Sequence, residues 1–148
     1  MNTILGSQFE TSLRISLLLE AVHGEALSEI VIAELDFITA YSHDFGVTQS
    51  NLHGDNKYRF GEFASRRAMV RSAVKQLVLD RLVEVSQTAG GFKYKLSDEG
   101  LEFVSALSTE YADAYYETAI QVIAVVGKSD RILGEMINRR TIASIREE

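Results

Sequence analysis

His43, Asp44, His53 and Asp55 crowd one short stretch of the chain, "YSHDFGVTQSNLHGDNKYRFG" (residues 41–61), and are the first residues whose chemistry invites a site. Imidazole and carboxylate groups ligate metals, but a site needs three or four that converge, and these pairs lack a ligand spacing that would bring them together. Asp and Asn beside Gly46 and Gly54 fit turn chemistry better. The glycine step in "TAGGF" precedes a strand-like run and not a helix, so it is no phosphate loop. Serines, histidines and aspartates occur without any nucleophile motif to organise them. With no cysteine, disulfides and thiolate metal sites are excluded. Tyr111, Tyr115 and Tyr116 read as core and interface packing. No catalytic centre, metal or cofactor is expected.

Charge directs attention elsewhere. The chain of 148 residues carries a net charge of −6, unevenly spread. Residues 1–56 sum to −7, residues 57–81 to +5, and residues 82–148 to −4. The basic segment contains "GEFASRRAMVRSAVKQLVLDRLV" (residues 61–83), which has helical periodicity. Phosphate neutralisation supplies most non-specific affinity for nucleic acid, so only this segment could serve a DNA-binding role.

The elements that must position it follow from spacing. Phe9, Leu13, Leu17 and Leu18 predict a first helix over residues 8–22, and its interrupting charges make it amphipathic, not a signal peptide. Ser28 caps a second helix running to about Ala40, with Ile30, Val31, Leu35 and Ile38 inward. Residues 41–61 lack periodicity, and so long a connection is often functional. A third helix spans about Glu62 to Asp80. Val83 and Val85, then Phe92, Tyr94 and Leu96, alternate about Gly90–Gly91 as a hairpin. Ser97 caps a fourth helix, whose stripe of Leu101, Val104, Leu107, Tyr111, Tyr115 and Thr118 continues toward Val122. A last helix follows from about Asp130 to Arg146. The fold expected is mainly α with a small β-hairpin: a winged helix-turn-helix domain over residues 1–118 and a C-terminal helical extension over residues 119–148. No run is long and apolar enough for a membrane span, and the expected location is cytoplasmic.

Face by face, the third helix is a poor reader of DNA. At 100° per residue, Phe63, Val70, Val74, Leu77 and Val78 form its core face, with Arg67 in their midst. Glu34 is similarly placed among Ile30, Phe37, Ile38 and Tyr41 of the second helix, so a partly buried Glu34–Arg67 ion pair is expected, with Glu62 as another partner for Arg67. The alternative is that Arg67 reaches past a thin core to solvent. The outer face offers Ala68, Met69, Ser72, Gln76 and Leu79. Base-edge recognition favours bidentate Arg, Asn or Gln side chains, and only Gln76, with Lys75 at the margin, is suited to it. Ala68, Met69, Ser72 and Leu79 suit a protein contact instead. Arg59, Arg71, Lys75, Lys93 and Lys95 are the candidate nucleic-acid contacts.

The stretches "SNLHGDNKYRFGEFASRR" and "GGFKYKLSDEG" resemble the middle component of bacterial ABC-three-component systems, grouped with Lamassu-type phage defence. The resembling motifs are Leu13–Arg14–Ile15, Leu52–His53, Gly61–Glu62 with Arg66–Arg67, and Gly91 with Tyr94. They cover roughly residues 9–116, each short, with their specificity in order and spacing. Gly54 stands where many members have proline, and the final thirty residues carry no recognised motif. The resemblance implies a non-catalytic accessory subunit bridging an SMC/Rad50-like coiled-coil ATPase and an effector such as a nuclease. It adds Leu52 and His53 to the expected partner surface. The alternative is a free-standing winged-helix transcription regulator, favoured by the basic segment alone.

Overall fold

Ser28 and Ser97 show how local chemistry lays out this chain. The computed structural model describes residues 8–146. Ser28 Oγ accepts from the Val31 amide at 3.3 Å and opens helix α2 (Glu29–Ala40). Ser97 Oγ accepts from the Gly100 amide at 3.0 Å and opens α4 (Asp98–Ser105). Each cap satisfies an amide that the first turn would leave without a partner. Ahead of α2 lies α1 (Gln8–Ala21), stopped where His23 and Gly24 turn to positive φ. After α2 come a single 3-10 turn (Arg59–Gly61), α3 (Phe63–Leu79), strands β1 (Val83–Thr88) and β2 (Gly91–Leu96), then α4, α5 (Glu110–Val126) and α6 (Asp130–Arg146). The protein is mainly helical with one antiparallel hairpin, as expected.

Helix α2 is the axis. Every residue from Val31 to Ala40 is buried, because α1, α3, α5 and α6 all pack against it. A helix with apolar residues on every side belongs inside, and this one sits there with Glu34, Asp36 and Thr39 buried among them. In the hairpin Val83 pairs with Leu96 and Val85 with Tyr94. Leu27, in the α1–α2 connection, exchanges backbone hydrogen bonds with Tyr94 at 2.9 and 2.8 Å, adding a one-residue third strand.

Two expectations about the C-terminal part need correction. The helix begun at Ser97 does not run on to Val122. It ends at Ser105, and Thr109 starts α5 by accepting from the Ala112 amide at 3.0 Å. The break lets α5 turn back across α1 and α2. The expected boundary between residues 118 and 119 lies inside α5, and Ala119, Val122, Leu133 and Ile137 belong to the same core as Ile15 and Phe37. The last third is built into the core and not appended to it.

Gly100 is the tightest point. A Cβ there would lie 2.1 Å from the Leu82 carbonyl oxygen and 2.9 Å from Leu96 Cδ2. Backbone meets backbone, so the clash cannot be relieved by a rotamer change. Gly100→Ala should therefore lower stability by about 1–3 kcal/mol, although alanine is intrinsically the better helix former. Urea denaturation beside Gly61→Ala, where a Cβ meets nothing within 4 Å, checks this. Equal midpoints would refute the close approach.

Candidate functional site

Val70, Ala73, Val74 and Leu77 are the buried positions of α3, and Arg66 continues the helical spacing of Val70, Ala73 and Leu77. The inward arginine is consequently Arg66, and Arg67 is exposed. The expected Glu34–Arg67 pair is not among the ion pairs of the described residues, which join Arg66 to Asp36 and to Glu62.

The buried ion pair lies one layer deeper, on α1 and α2. Arg14 Nε donates to Asp36 Oδ1 at 2.9 Å, and both side chains are almost wholly enclosed. Tyr115 of α5 donates its hydroxyl to the same carboxylate oxygen at 2.6 Å. Arg66 Nη1 stands 3.5 Å from Asp36 Oδ2. Burial opposes ionisation of Asp36, but Arg14 and Arg66 outweigh it and hold the carboxyl below its usual range. Four helices thus meet on one carboxylate.

His53 extends this network outward. Arg66 Nη2 lies 2.8 Å from His53 Nδ1, and because a guanidinium only donates, Nδ1 accepts. The proton of the neutral ring is then on Nε2, which donates to the Tyr111 hydroxyl at 2.7 Å. Burial and the neighbouring Arg66 and Arg14 cations push the pKa of His53 down to about 4, so the ring stays neutral. The other members of the candidate metal cluster are occupied differently. Asp44 is clamped by Arg59 at 2.6 and 2.9 Å, Asp55 accepts from Asn51 at 2.9 Å, and His43 Nδ1 donates to the Thr48 carbonyl at 3.0 Å. Among the described residues, no three His, Asp or Glu side chains are grouped to hold a metal ion. The stretch forms a folded lobe, with Phe45, Val47 and Leu52 packed on the core.

The open surface lies at the other end of α3. Val74, Val78 and Leu79 face Val85, Phe92 and Tyr94 of the hairpin across a groove of about 360 Å³. Only the base of the hairpin, Val83 and Leu96, is seated in the core; toward the tip Val85 is 44% exposed and Phe92 57%. Leu79 is 67% exposed at the groove's end. Glu29, Arg71 and Lys75 complete the lining, with Arg71 Nε 3.1 Å from Glu29 Oε1.

The expected partner residues therefore scatter. Leu79 lines the groove, and Ala68 and Ser72 are exposed further along α3, Ser72 donating to Gln8 at 2.8 Å. Met69 borders a separate hollow with Arg14 and Arg66, while Leu52 and His53 face the core and α5. Of the candidate nucleic-acid contacts, Arg71 and Lys75 border the groove. Lys93 and Lys95 alternate with Phe92 and Tyr94 along β2, and so point to its other face. Arg59 is committed to Asp44. Val74 and Val78, on the predicted core face of α3, and Val85, Phe92 and Tyr94, on alternating positions of the hairpin, also line the groove. Spacing marks them as apolar and inward but does not show that their common face stays open.

Compared with known proteins, residues 4–147 match the family described as ABC-three component (ABC-3C) system Middle Component 2. No curated protein and no solved structure matches the chain.

Proposed function

Because the chain belongs to the Middle Component 2 family of ABC-three-component systems, we propose that it is a non-catalytic accessory subunit of an anti-phage defence complex. In that role it holds an SMC/Rad50-like coiled-coil ATPase and an effector together by protein contacts. The observation that carries this reading is the open apolar groove between α3 and the hairpin, with Leu79 and Phe92 left in water. Exposed apolar surface of this kind marks contact sites, and burying it contributes roughly 25 cal/mol per Å². We read the scaffold as a winged helix-turn-helix: α1, the Leu27 bridge, α2, α3 and the hairpin follow in the appropriate order. As a free-standing regulator it would need base-reading side chains where the groove is apolar, and Arg71, its nearest guanidinium, is engaged by Glu29. That alternative is the weaker.

Leu79→Glu with Phe92→Glu should abolish co-purification with the coiled-coil ATPase of the same system while leaving the helical circular-dichroism signal intact. Ala68→Glu, outside the groove, should not. Full-stoichiometry recovery of the double variant would place the ATPase contact elsewhere. Sequence-specific nanomolar binding of duplex DNA by the isolated chain would overturn the adaptor reading itself. Among the described residues no helix is long and apolar enough to cross a membrane.

A further inference from the structure

A second surface, sharing no residue with the groove, gathers positive charge where α6 meets the 3-10 turn. The Phe60 ring is buried, and two guanidiniums stand against it: Arg59 at 5.1 Å and Arg140 at 5.2 Å from the centroid. Arg59 reaches past the ring to clamp Asp44, and Arg140 acts on the same carboxylate from α6. Beside them opens a hollow of about 380 Å³ lined by Asp44, Phe45, Met136, Arg139, Arg140 and Ala143. Lys57 and Tyr58 precede the turn, the ammonium 5.1 Å from the ring centroid, and Tyr58 is 64% exposed.

The charges here do not balance. Arg59, Arg139 and Arg140 gather about the one carboxylate of Asp44, Asp55 acts on Arg59 as well, and Lys57 lies two residues before Arg59 in the chain. Arg59 and Asp44 neutralise one another. Arg139 is exposed and, among the described residues, in no ion pair, and Arg140 Nε is buried without a hydrogen-bond partner. In a chain of net charge −6, three cations beside one buried ring make a local basic cluster, of which Arg139 is the exposed member. On α3, Arg66 is engaged by Asp36 and Glu62 and Arg71 by Glu29, while Arg67 stands exposed with no aromatic ring contact among the described residues.

We propose that Lys57, Tyr58, Arg139 and Arg140 form a binding face for single-stranded nucleic acid, cations on consecutive phosphates and a base stacked on Tyr58. Guanidinium forks match phosphate oxygens, and an exposed aromatic beside a cationic track is the arrangement by which proteins hold single strands without reading sequence. An acidic protein segment would use the cations but has no need of the exposed ring. Such a face makes the subunit a sensor contact as well as a linker, independently of what occupies the groove.

The test is fluorescence anisotropy of the full chain with a labelled oligothymidylate of about 16 nucleotides, enough for one site. Binding should weaken with salt at a slope of about −0.7 per phosphate neutralised. Tyr58→Ala should weaken it roughly fivefold to a hundredfold, the range for loss of one stacked base, and Lys57→Glu with Arg139→Glu should remove it. Arg139→Lys should retain it. These side chains are exposed, so thermal unfolding should be unchanged and serves as the folding control. Undiminished binding by the double-glutamate variant would overturn the proposal. So would polyglutamate competing as well as oligothymidylate, which would identify an acidic protein segment as the occupant. Preference for duplex DNA, lost on Lys93→Glu with Lys95→Glu, would move the contact to the hairpin and equally refute it.

Discussion

Asp36→Ala should destabilise the protein by about 3–5 kcal/mol, the cost of removing one partner of a buried ion pair. That is a large share of the total for a domain, about 5–15 kcal/mol. The carboxylate accepts from Arg14 and Tyr115, with Arg66 close by. Its loss leaves Arg14, which is 4% exposed, with Glu10 at 2.7 Å as its remaining carboxylate partner and its Nε without an acceptor inside the core. Arg67→Ala, by contrast, should unfold with the wild type, since Arg67 is exposed. Urea denaturation of the two variants side by side checks both, and a smaller loss for Asp36→Ala than for Arg67→Ala would reverse the assignment. The acid limb should follow the same carboxylate. Its pKa lies below the ordinary 3.8, so its contribution is complete above that value and is lost as pH falls through the folded pKa.

Glu34→Gln should do the opposite and stabilise, increasingly so as pH rises. Glu34 is buried on α2, one carboxylate oxygen without a hydrogen-bond partner, the other 3.2 Å from the Cβ position of Gly134 on α6. Burial first, then a hydrogen bond and the charge of Asp130, push its pKa up to about 8, against the opposing pull of Arg67. Below the unfolded value of 4.5 the carboxyl is protonated in both states. From there to about 8 the unfolded chain gives up the proton and the folded chain keeps it, so wild-type stability declines. Each pKa unit is worth about 1.4 kcal/mol. Glutamine has no proton to lose. Melting temperatures across this window should therefore diverge, by about 2–4 °C for each kcal/mol. His53 titrates nearby in pH but is common to both proteins and cancels in the difference. A gap that does not grow from pH 5 to pH 8 would refute the buried, protonated Glu34.

What could be read in the residues, and what could not, divides along physical lines. Ser28 and Ser97 announced their helices because capping is local chemistry, complete within one turn. The hairpin was equally legible, from alternation on either side of Gly90–Gly91. The break between α4 and α5 was hidden because Leu101, Val104, Leu107, Tyr111 and Tyr115 keep helical spacing across it, and only Ser108–Thr109 hinted at a new cap. Arg66 and Arg67 are chemically identical neighbours 100° apart, and which one turns inward depends on how α3 sits against both α1 and α2. Arg14 lies in an apolar run and Asp36 shares its run with Glu34, and nothing local marks Asp36 as the carboxylate that Arg14 meets. The groove was missed for a different reason. Alternation in β2 reports which face of a strand is apolar, not whether another element covers it.

The Asp36–Tyr115 hydrogen bond spans 79 residues of chain. On a ribosome adding about 5–20 residues per second, roughly 4–16 s separate the two residues. In the later part of that interval α1, α2 and α3 have been made, with Arg14 and Asp36, but not the helix that encloses them. The hairpin and its open groove are also made before α5. The nascent chain thus displays its apolar groove before its core can close, when a premature contact with another apolar chain is most costly. Making this subunit where its partners are already at hand would shorten that exposure.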